Sequence, residues 1–483
     1  MSQRFKVKPL CSYDNNVVEK IQGNYSVYEI TEQSIQEILT KGLAVQEELS
    51  EINIWKKLDI IEEMGKIWQE RLNRGELDEI KELLAKSTGY SEKLIEMELS
   101  FVPLILNREN IIQNLKYSLI VNIEALERFV EVKDGESLRI MPAGPAFIIS
   151  SGNSLIPPLI PSIISLVTGN FTIVKPSLSN YAGVAEVFKT LFSLASINDV
   201  AKKMADALLI CYFTHDSATL KYLLSKAKIG VVNFWGGEPA RSTIAKIVSE
   251  NPNHPRFIVN GPMTGCAIID EESSNEENAR GLAMNIILYD QQLCSSPTFA
   301  IFIGSYESAL SFLNLVKKFL NEIGSEMEIQ ADEASIFLTQ SVRRFLQLRG
   351  SSILFSNDFR NLWTLILSKK KSILDQVVSV FPAFNLYNRK RFLEIVVVDS
   401  MEEALEHVKT LPYSVAFKGI DTVQTIGYAI GNEKRKKLFK ELARLGVYRI
   451  VPLSDMYMRS AIEPYDGMSL PLSFTKILYC RNR

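Results

Sequence analysis

The sequence predicts an α/β chain built on a doubly wound parallel sheet, and three observations carry that prediction. From Ala146 onward, short apolar runs alternate with amphipathic stretches, the pattern of doubly buried strands joined by helical crossovers. Ahead of that region, apolar residues recur at helical spacing, as at Leu58, Ile61, Met64 and Trp68. A chain of 483 residues also exceeds what a single hydrophobic core holds, which makes room for two or three domains.

Taken in order, the first hundred or so residues read as an α-rich entry segment, with Gly75 and Gly89 marking turns. Residues 146–150, 171–174, 207–213 and 229–234 read as strands with helical stretches between them. The longest apolar region, 146–174, is broken by Asn153, Pro157, Pro158, Pro161, Gly169 and Asn170. It therefore reads as strand, turn, helix and strand, and not as a membrane helix. A second α/β section follows, with a strand at 265–269, a helix over 276–288 and a polar loop holding Cys294. A strand at 393–398, a helix at 401–409, a helix closed by Gly446 and a strand at 447–451 complete it. With no internal repeat or low-complexity linker, the best domain border lies near 251–255.

With 46% hydrophobic and 23% charged residues and a formal net charge of -2, the composition is that of a soluble globular protein and argues against a nucleic-acid partner. The basic runs 369–371 and 434–437 sit beside helix-like apolar spacing and read as solvated helix faces. The N-terminus, Met1-Ser2-Gln3-Arg4-Phe5, lacks the apolar stretch of a signal peptide, so a cytoplasmic location is expected. The five cysteines are scattered and show no metal spacing, so neither a disulfide framework nor a structural zinc site is expected.

Cys211, Cys266 and Cys480 lie in apolar, strand-like runs, where a thiol is usually a small buried hydrophobe. Cys294 differs, because Tyr289-Asp290-Gln291-Gln292-Leu293 precedes it and Ser295-Ser296-Pro297 follows. In such a polar turn, backbone N–H groups can stabilise a thiolate or an oxyanion; from spacing alone, a nucleophile and an ordinary loop cysteine both remain open. Asn153, between a buried strand and a Pro-rich helix start, reads either as an oxyanion donor or as a turn residue bonding its own backbone. Gly236 and Gly237 end a strand and open a helix, where backbone N–H groups can meet a phosphate, although no GxGxxG motif is present. Lys175-Pro176-Ser177, at another strand end, is equally open. His215 and His407 read as surface or capping residues, whereas His254, just ahead of the strand leading to the site, is a candidate general base.

Together these pieces resemble a known family. Gly144-Pro145-Ala146, Gly152-Asn153, Gly169-Asn170, Lys175-Pro176-Ser177, Phe234-Trp235-Gly236-Gly237 and a cysteine loop some sixty residues later are similar in order and spacing to the aldehyde dehydrogenase superfamily. More narrowly, Trp235-Gly236-Gly237-Glu238, the segment 289–297 and the stretch from Gly446 to Tyr465-Asp466-Gly467-Met468 resemble the LuxC-type fatty acyl-CoA reductases.

That resemblance implies an aldehyde dehydrogenase-like fold: a Rossmann-like cofactor domain with the N-terminal helices over 1–254 and an α/β catalytic domain over 255–440. A return to the cofactor domain with a small oligomerisation segment would occupy 441–483. It implies Cys294 as acyl acceptor, Asn153 with the Cys294 backbone N–H as oxyanion hole, Lys175 and Ser177 near the adenosine ribose, and Gly236 and Gly237 by the pyrophosphate. Residues 257–262 carry no carboxylate where hydrolytic members of the superfamily place a glutamate, which leaves water poorly activated. Leu178 stands where NAD-preferring members hold ribose hydroxyls with a glutamate, so NADPH is the implied cofactor. The Glu-x-Phe-Gly-Pro segment of dehydrogenases is absent near Phe381 to Tyr387. The implied activity is reduction of a fatty acyl thioester, acyl-CoA or acyl-protein, to an aldehyde, by a homo-oligomer working with an acyl-protein synthetase. Its rivals are an aldehyde-oxidising dehydrogenase and a non-reducing acyl-carrier subunit.

Overall fold

The computed structural model describes residues 4–481 and divides into two units. The N-terminal reading at Met1, Ser2 and Gln3 lies outside the described residues. The first unit comprises Met1–Thr88, Glu96–Asn260 and Ser460–Arg483; the second comprises Gly89–Ile95 and Gly261–Arg459.

In the first unit, five parallel strands stand side by side in the order Arg256–Asn260, Val231–Trp235, Ala146–Ile149, Thr172–Lys175 and Leu208–Ile210. The first strand in sequence lies in the middle and the chain winds outward on both sides, which is the doubly wound topology. Ala146–Ile149 is buried along its whole length, as covered parallel strands require. The apolar region 146–174 resolves as expected into strand, helix Ile156–Val167 and strand. Pro157 and Pro158 fall in the first helical turn, where their missing N–H groups cost nothing. The strand expected over 207–213 is shorter, at Leu208–Ile210.

The entry segment carries helices at Glu32–Ser50, Ile54–Asn73, Asp78–Thr88, Glu92–Ile105 and Arg108–Ser118. Leu58, Ile61, Met64 and Trp68 are fully buried, and the Trp68 indole N–H donates to the Leu99 carbonyl at 3.0 Å. The entry is not wholly helical, however: Phe5–Val7, Val17–Gln22 and Tyr25–Ile30 form a three-stranded sheet. Gly23, at φ +55°, turns the hairpin between the last two strands. Another small antiparallel sheet joins Val130–Lys133, Glu136–Pro142 and Thr475–Arg481. Cys480 sits on its outer strand, only half-buried, so the expectation of a core thiol there is corrected: an edge strand has no second layer to cover it.

The second unit is organised on seven strands, in the order Ser352–Phe355, Thr364–Lys369, Phe392–Val398, Pro297–Ile303, Thr264–Asp270, Val423–Ala429 and Arg449–Pro452. All neighbours pair in parallel except the first two. Cys266, Phe299, Ile301, Val396 and Ile426 are among the residues of its core. Because Arg256–Asn260 is an edge strand of the first sheet, the chain crosses between units after Asn260, a few residues beyond the expected border. Because Arg449–Pro452 pairs with Val423–Ala429, the return comes after Arg459 and not near 441.

The helix Asn432–Arg444 ends as expected, with Gly446 at φ +78°. Residues 434–437 lie on that helix, where Lys434 pairs with Asp270 and Glu272, and Lys437 with Glu402. The run 369–371 does not lie on a helix. Lys369 ends a strand and Lys370, at φ +62°, turns to pair with Asp399 and Glu403. No helix among the described residues is long and apolar enough to cross a membrane.

Candidate active site

In an open α/β sheet the crevice lies beyond the carboxyl ends of the strands, where the winding reverses. In the first unit that point falls between Ala146–Ile149 and Val231–Trp235. Two of the expected segments leave the sheet there: the Ser150 to Asn153 loop and the Gly236-Gly237 turn.

The Asn153 loop is pinned from several sides. Buried Asn180 donates through Nδ2 to the carbonyls of Ser151, at 3.0 Å, and Ser154, at 2.7 Å. Ser179 Oγ donates to the Gly152 carbonyl at 2.9 Å. Buried Glu98 accepts the Leu155 N–H at 2.7 Å, a carboxylate at the start of the helix Ile156–Val167, where the helix dipole favours negative charge. Ser151 Oγ donates to Asn153 Oδ1 at 2.8 Å, which fixes the amide's orientation and leaves Nδ2 as its donor end. A Cβ at position 152 would meet Ser179 Oγ at 2.3 Å and Ser177 Oγ at 2.6 Å. Gly152 is thus a close-approach glycine, and it brings the Asn153 loop against the Lys175-Pro176-Ser177 strand end.

At that strand end the Lys175 ammonium lies 4.3 Å from the Tyr212 ring centroid. Burial pulls its pKa down to about 8. Across the switch point, the Gly236 N–H donates to the Asn260 carbonyl at 3.1 Å. Glu238 accepts from the N–H and Oγ of Ser242, at 3.2 and 2.7 Å, in the first turn of the helix Ala240–Ser249. A phosphate at this turn would meet a carboxylate already seated there.

A second set of side chains, in which Trp235 and Tyr465-Asp466 were legible only as motifs and Asn233 not at all, knits the same edge. Trp235 Nε1 donates to Asn233 Oδ1 at 2.6 Å, Asn233 Nδ2 to Asn260 Oδ1 at 2.9 Å, and Asn260 Nδ2 to Asp466 Oδ2 at 3.2 Å. Trp235 also packs edge-on against Tyr465, with ring centroids 5.5 Å apart. Asp466 and Gly467, at φ +52° and +73°, form a tight turn closed by mutual bonds between Tyr465 and Met468. No carboxylate occurs at 257–262, yet the fold delivers one, Asp466, to the Asn260 amide from some two hundred residues away.

His254 does not join this edge. It is exposed, at φ +46°, in the turn before Arg256–Asn260, and its N–H donates to the Asn251 carbonyl. The strand that follows spans roughly 13 Å at about 3.3 Å per residue, which places His254 at the opposite end of the sheet from Asn153, Lys175 and Gly236. The strand therefore parts His254 from Asn153, Lys175 and Gly236. His215 is exposed, and His407 Nε2 lies 3.0 Å from the Lys370 carbonyl.

Cys294 belongs to the second unit, where it is half-buried in a turn. The Ser296 N–H donates to the Leu293 carbonyl at 3.0 Å and the Leu293 N–H to Ser296 Oγ at 3.3 Å, so Cys294 and Ser295 are the turn's central residues. Gly265 makes room for it: a Cβ there would lie 2.3 Å from the Ser295 carbonyl oxygen. Before the turn, Tyr289, Asp290 and Gln291 all take left-handed φ values, +53°, +50° and +66°. For residues with a Cβ this costs roughly 1–2 kcal/mol each, so surrounding contacts must hold the run in place.

They do so through the Arg389 to Phe392 segment. Arg391 Nε donates to Asp290 Oδ1 at 2.8 Å, both side chains being almost wholly buried. Burial pushes the Asp290 carboxyl up and the neighbouring guanidinium opposes it. Gln291 accepts the Phe392 N–H and donates to the Pro297 carbonyl, each at 2.7 Å. Gln292 donates to the Arg389 carbonyl at 2.9 Å.

Among the other cysteines, burial pushes the thiols of Cys11, Cys211 and Cys266 up and disfavours their thiolates. No cluster of three metal-binding side chains occurs among the described residues.

The sequence profile of the family described as acyl-CoA reductase (LuxC) matches residues 49–474. The chain belongs to the LuxC family. Its relatives include long-chain acyl-protein thioester reductase 2 of Photobacterium leiognathi, 23% identical over 269 residues, which are 53% of each protein. The long-chain acyl-protein thioester reductase of Aliivibrio fischeri is 23% identical over 316 residues, 64% of this chain and 62% of that protein. The matched stretch thus spans little more than half of these relatives' length. Solved structures of the same fold include the 1-pyrroline-5-carboxylate dehydrogenase of Thermus thermophilus, with a TM-score of 0.72 and 12% identity over 99% of this chain and 93% of that one. A putative methylmalonate-semialdehyde dehydrogenase of Sinorhizobium meliloti, complexed with NAD, gives a TM-score of 0.68 at 13% identity over 100% and 99% of the two chains. A glyceraldehyde-3-phosphate dehydrogenase of Methanocaldococcus jannaschii, complexed with NADP, gives 0.66 at 13% identity over 96% and 98%. The fold is that of the aldehyde dehydrogenases.

Several residues that carried the resemblance to the aldehyde dehydrogenase superfamily or to its LuxC-type members now have structural work. Asn170, fully buried, accepts the Gly144 N–H and donates to the carbonyls of Ser165 and Phe474, so that motif is an architectural tie. Asp290, Gln291 and Gln292 brace the approach to Cys294. Asn180, Glu98 and Asn233 had no signal in one sequence, because each acts on a segment distant along the chain.

Proposed function

We propose that this LuxC-family chain takes an acyl group from a thioester, acyl-CoA or acyl-protein, onto Cys294 and releases it as an aldehyde with NADPH as reductant. The observation that carries the reading is the Cys294 turn, a half-buried thiol presented by a braced, left-handed approach while burial suppresses the thiolates of Cys11, Cys211 and Cys266. The names of the relatives, acyl-protein thioester reductases, support the same chemistry.

In the first half-reaction the Cys294 thiolate attacks the acyl carbonyl carbon and the oxygen takes the electron pair. Collapse re-forms the C=O bond and expels the donor thiolate, which takes up a proton. Asn153 Nδ2, oriented by Ser151, and the Cys294 backbone N–H are the donors assigned to the oxyanion. The reading gives His254 no part.

A dinucleotide suits three features of the first unit: a doubly wound switch point, the Lys175 cation beside the Tyr212 ring and the Ser177 hydroxyl. At the Gly236-Gly237 turn, by contrast, the Glu238 carboxylate, held by Ser242, must swing away before a phosphate can bind. Lys175 and Ser177 would hold the adenosine ribose and the glycines the pyrophosphate. When bound, the reduced nicotinamide supplies the hydride that brings the acyl group to the aldehyde level. The chain's task is then to keep water from the acyl-Cys294 thioester. The lack of a carboxylate at 257–262 favours this over the aldehyde-oxidising direction.

The reading brings with it a cytoplasmic homo-oligomer that receives acyl groups from an acyl-protein synthetase. Self-association is supported by Val132, Ile477, Leu478 and Tyr479, which leave apolar surface exposed on the two outer strands of the small antiparallel sheet.

The test is an assay with acyl-CoA esters of graded length and either reduced cofactor, following aldehyde and released thiol. Aldehyde should appear with NADPH in preference to NADH, since Leu178 offers no carboxylate to repel a 2′-phosphate. A tenfold preference for NADH, about 1.4 kcal/mol, would overturn the cofactor assignment. Free acid in place of aldehyde would overturn the reaction.

A further inference from the structure

We propose that Asp290, Gln291 and Gln292, docked on the Arg389 to Phe392 segment, are positioning residues for Cys294: they aim the thiol at the incoming carbonyl without setting its acidity. The inference rests on the reading of Cys294 as the acyl acceptor.

The geometry argues for aim. Three consecutive side chains on the approach to the turn all reach the same four-residue segment, about a hundred positions further along the chain. Gln291 does more, because its amide also holds the Pro297 carbonyl, beyond the cysteine. One side chain thereby braces both ends of the turn. The receiving segment is equally constrained: Arg391 is itself left-handed, at φ +47°, and its guanidinium is anchored to the Met327 carbonyl at 2.6 Å and to Asn361 Oδ1. Arg389 is buried, donates to the Ala416 carbonyl at 3.0 Å and stacks on Phe417 at 4.8 Å. The two segments lead directly into Pro297–Ile303 and Phe392–Val398, which are neighbouring strands, so the contacts lock the entrances of adjacent strands to one another. A run of left-handed residues that lost these ties would relax toward ordinary backbone angles and carry Cys294 with it.

The test uses the full chain with Asp290→Asn and, separately, Gln292→Ala. Asparagine keeps the size and an acceptor for Arg391, and it tolerates left-handed φ, but it removes the charge. Single-turnover transfer from an acyl-CoA to Cys294 is compared with alkylation of the same thiol by iodoacetamide across pH. A small reagent needs only a thiolate; acyl transfer needs an aimed one. The expected result is acylation slowed by about 10-fold or more in each variant, with KM for the thioester within about 3-fold and the alkylation profile unmoved. Circular dichroism establishes that each variant is folded, and if Asp290→Asn is not, Gln292→Ala decides. Acylation at the original rate in a folded variant would overturn the proposal, as would a parallel loss of alkylation and acylation. Mapping the acyl group in the unmodified chain separates the two ideas: if it sits on another residue, the reading of Cys294 fails and the clamp loses its object.

Discussion

Replacing Gly152 by alanine tests whether the Asn153 loop must sit where it does. The added Cβ would lie 2.3 Å from Ser179 Oγ, 2.6 Å from Ser177 Oγ and 2.8 Å from Ser177 Cβ, against 3.4 Å for ordinary contact. The deficit is about 1.1 Å at worst, and rotating one hydroxyl cannot relieve it, because Ser177 Cβ is fixed to its backbone. The loop or the Lys175-Pro176-Ser177 strand end must therefore shift. A displacement on the order of 1 Å at a positioned group can cost about 100-fold in rate, so single-turnover acylation of Cys294 should fall by about that factor. The shift should also weaken cofactor binding, since Ser177 is one of its assigned contacts. Acylation is followed by quenched-flow with intact-mass detection, and cofactor affinity by nucleotide fluorescence. Adding Ser177→Gly, which removes two of the three clashing atoms, should restore part of the rate. If Gly152→Ala acylates at the original rate while folded, the close approach has no catalytic meaning.

Other outcomes follow from the same geometry. Asn153→Ala should slow acylation by about 100-fold or more, the usual effect of removing one oxyanion donor, and an unchanged single-turnover rate would remove Asn153 from the mechanism. Lys175, with its pKa drawn down to about 8 by burial, is cationic below that pH and loses its charge above it. At limiting cofactor, kcat/KM for NADPH should therefore fall as pH rises through about 8, and Lys175→Arg should flatten the decline; a profile already flat in the unmodified chain would contradict this.

The parts of the fold that could be read in advance were those set by local pattern. Ala146–Ile149, the Pro-started helix after it and Thr172–Lys175 follow from an apolar run broken by Asn and Pro, and buried Leu58, Ile61, Met64 and Trp68 follow from helical spacing. The N-terminal hairpin was legible too, since Gly23-Asn24 separates two β-branched and aromatic runs, but the helices behind it dominated the reading. His254 was read as lying near the site because it is close in sequence to the strand end, but the extended strand sets it apart from Asn153, Lys175 and Gly236. Asn153, Lys175 and Gly236 could be singled out because each lies at or just beyond the carboxyl end of a parallel strand. Asn180 and Glu98 were not found, because a buried polar side chain declares its role only when the distant backbone it satisfies is in view. The Asp-Gln-Gln run was recognised as a motif, while its reason, the grip on Arg391 and Phe392, is tertiary.

The most direct test of the account is to supply an acyl-CoA without reduced cofactor and map the acyl group by intact mass and peptide analysis before and after adding NADPH. The account predicts a single adduct on Cys294 that persists until NADPH is added and then leaves as aldehyde. An adduct on Cys11, Cys211, Cys266 or Cys480, or rapid release of free acid before NADPH is present, would contradict it.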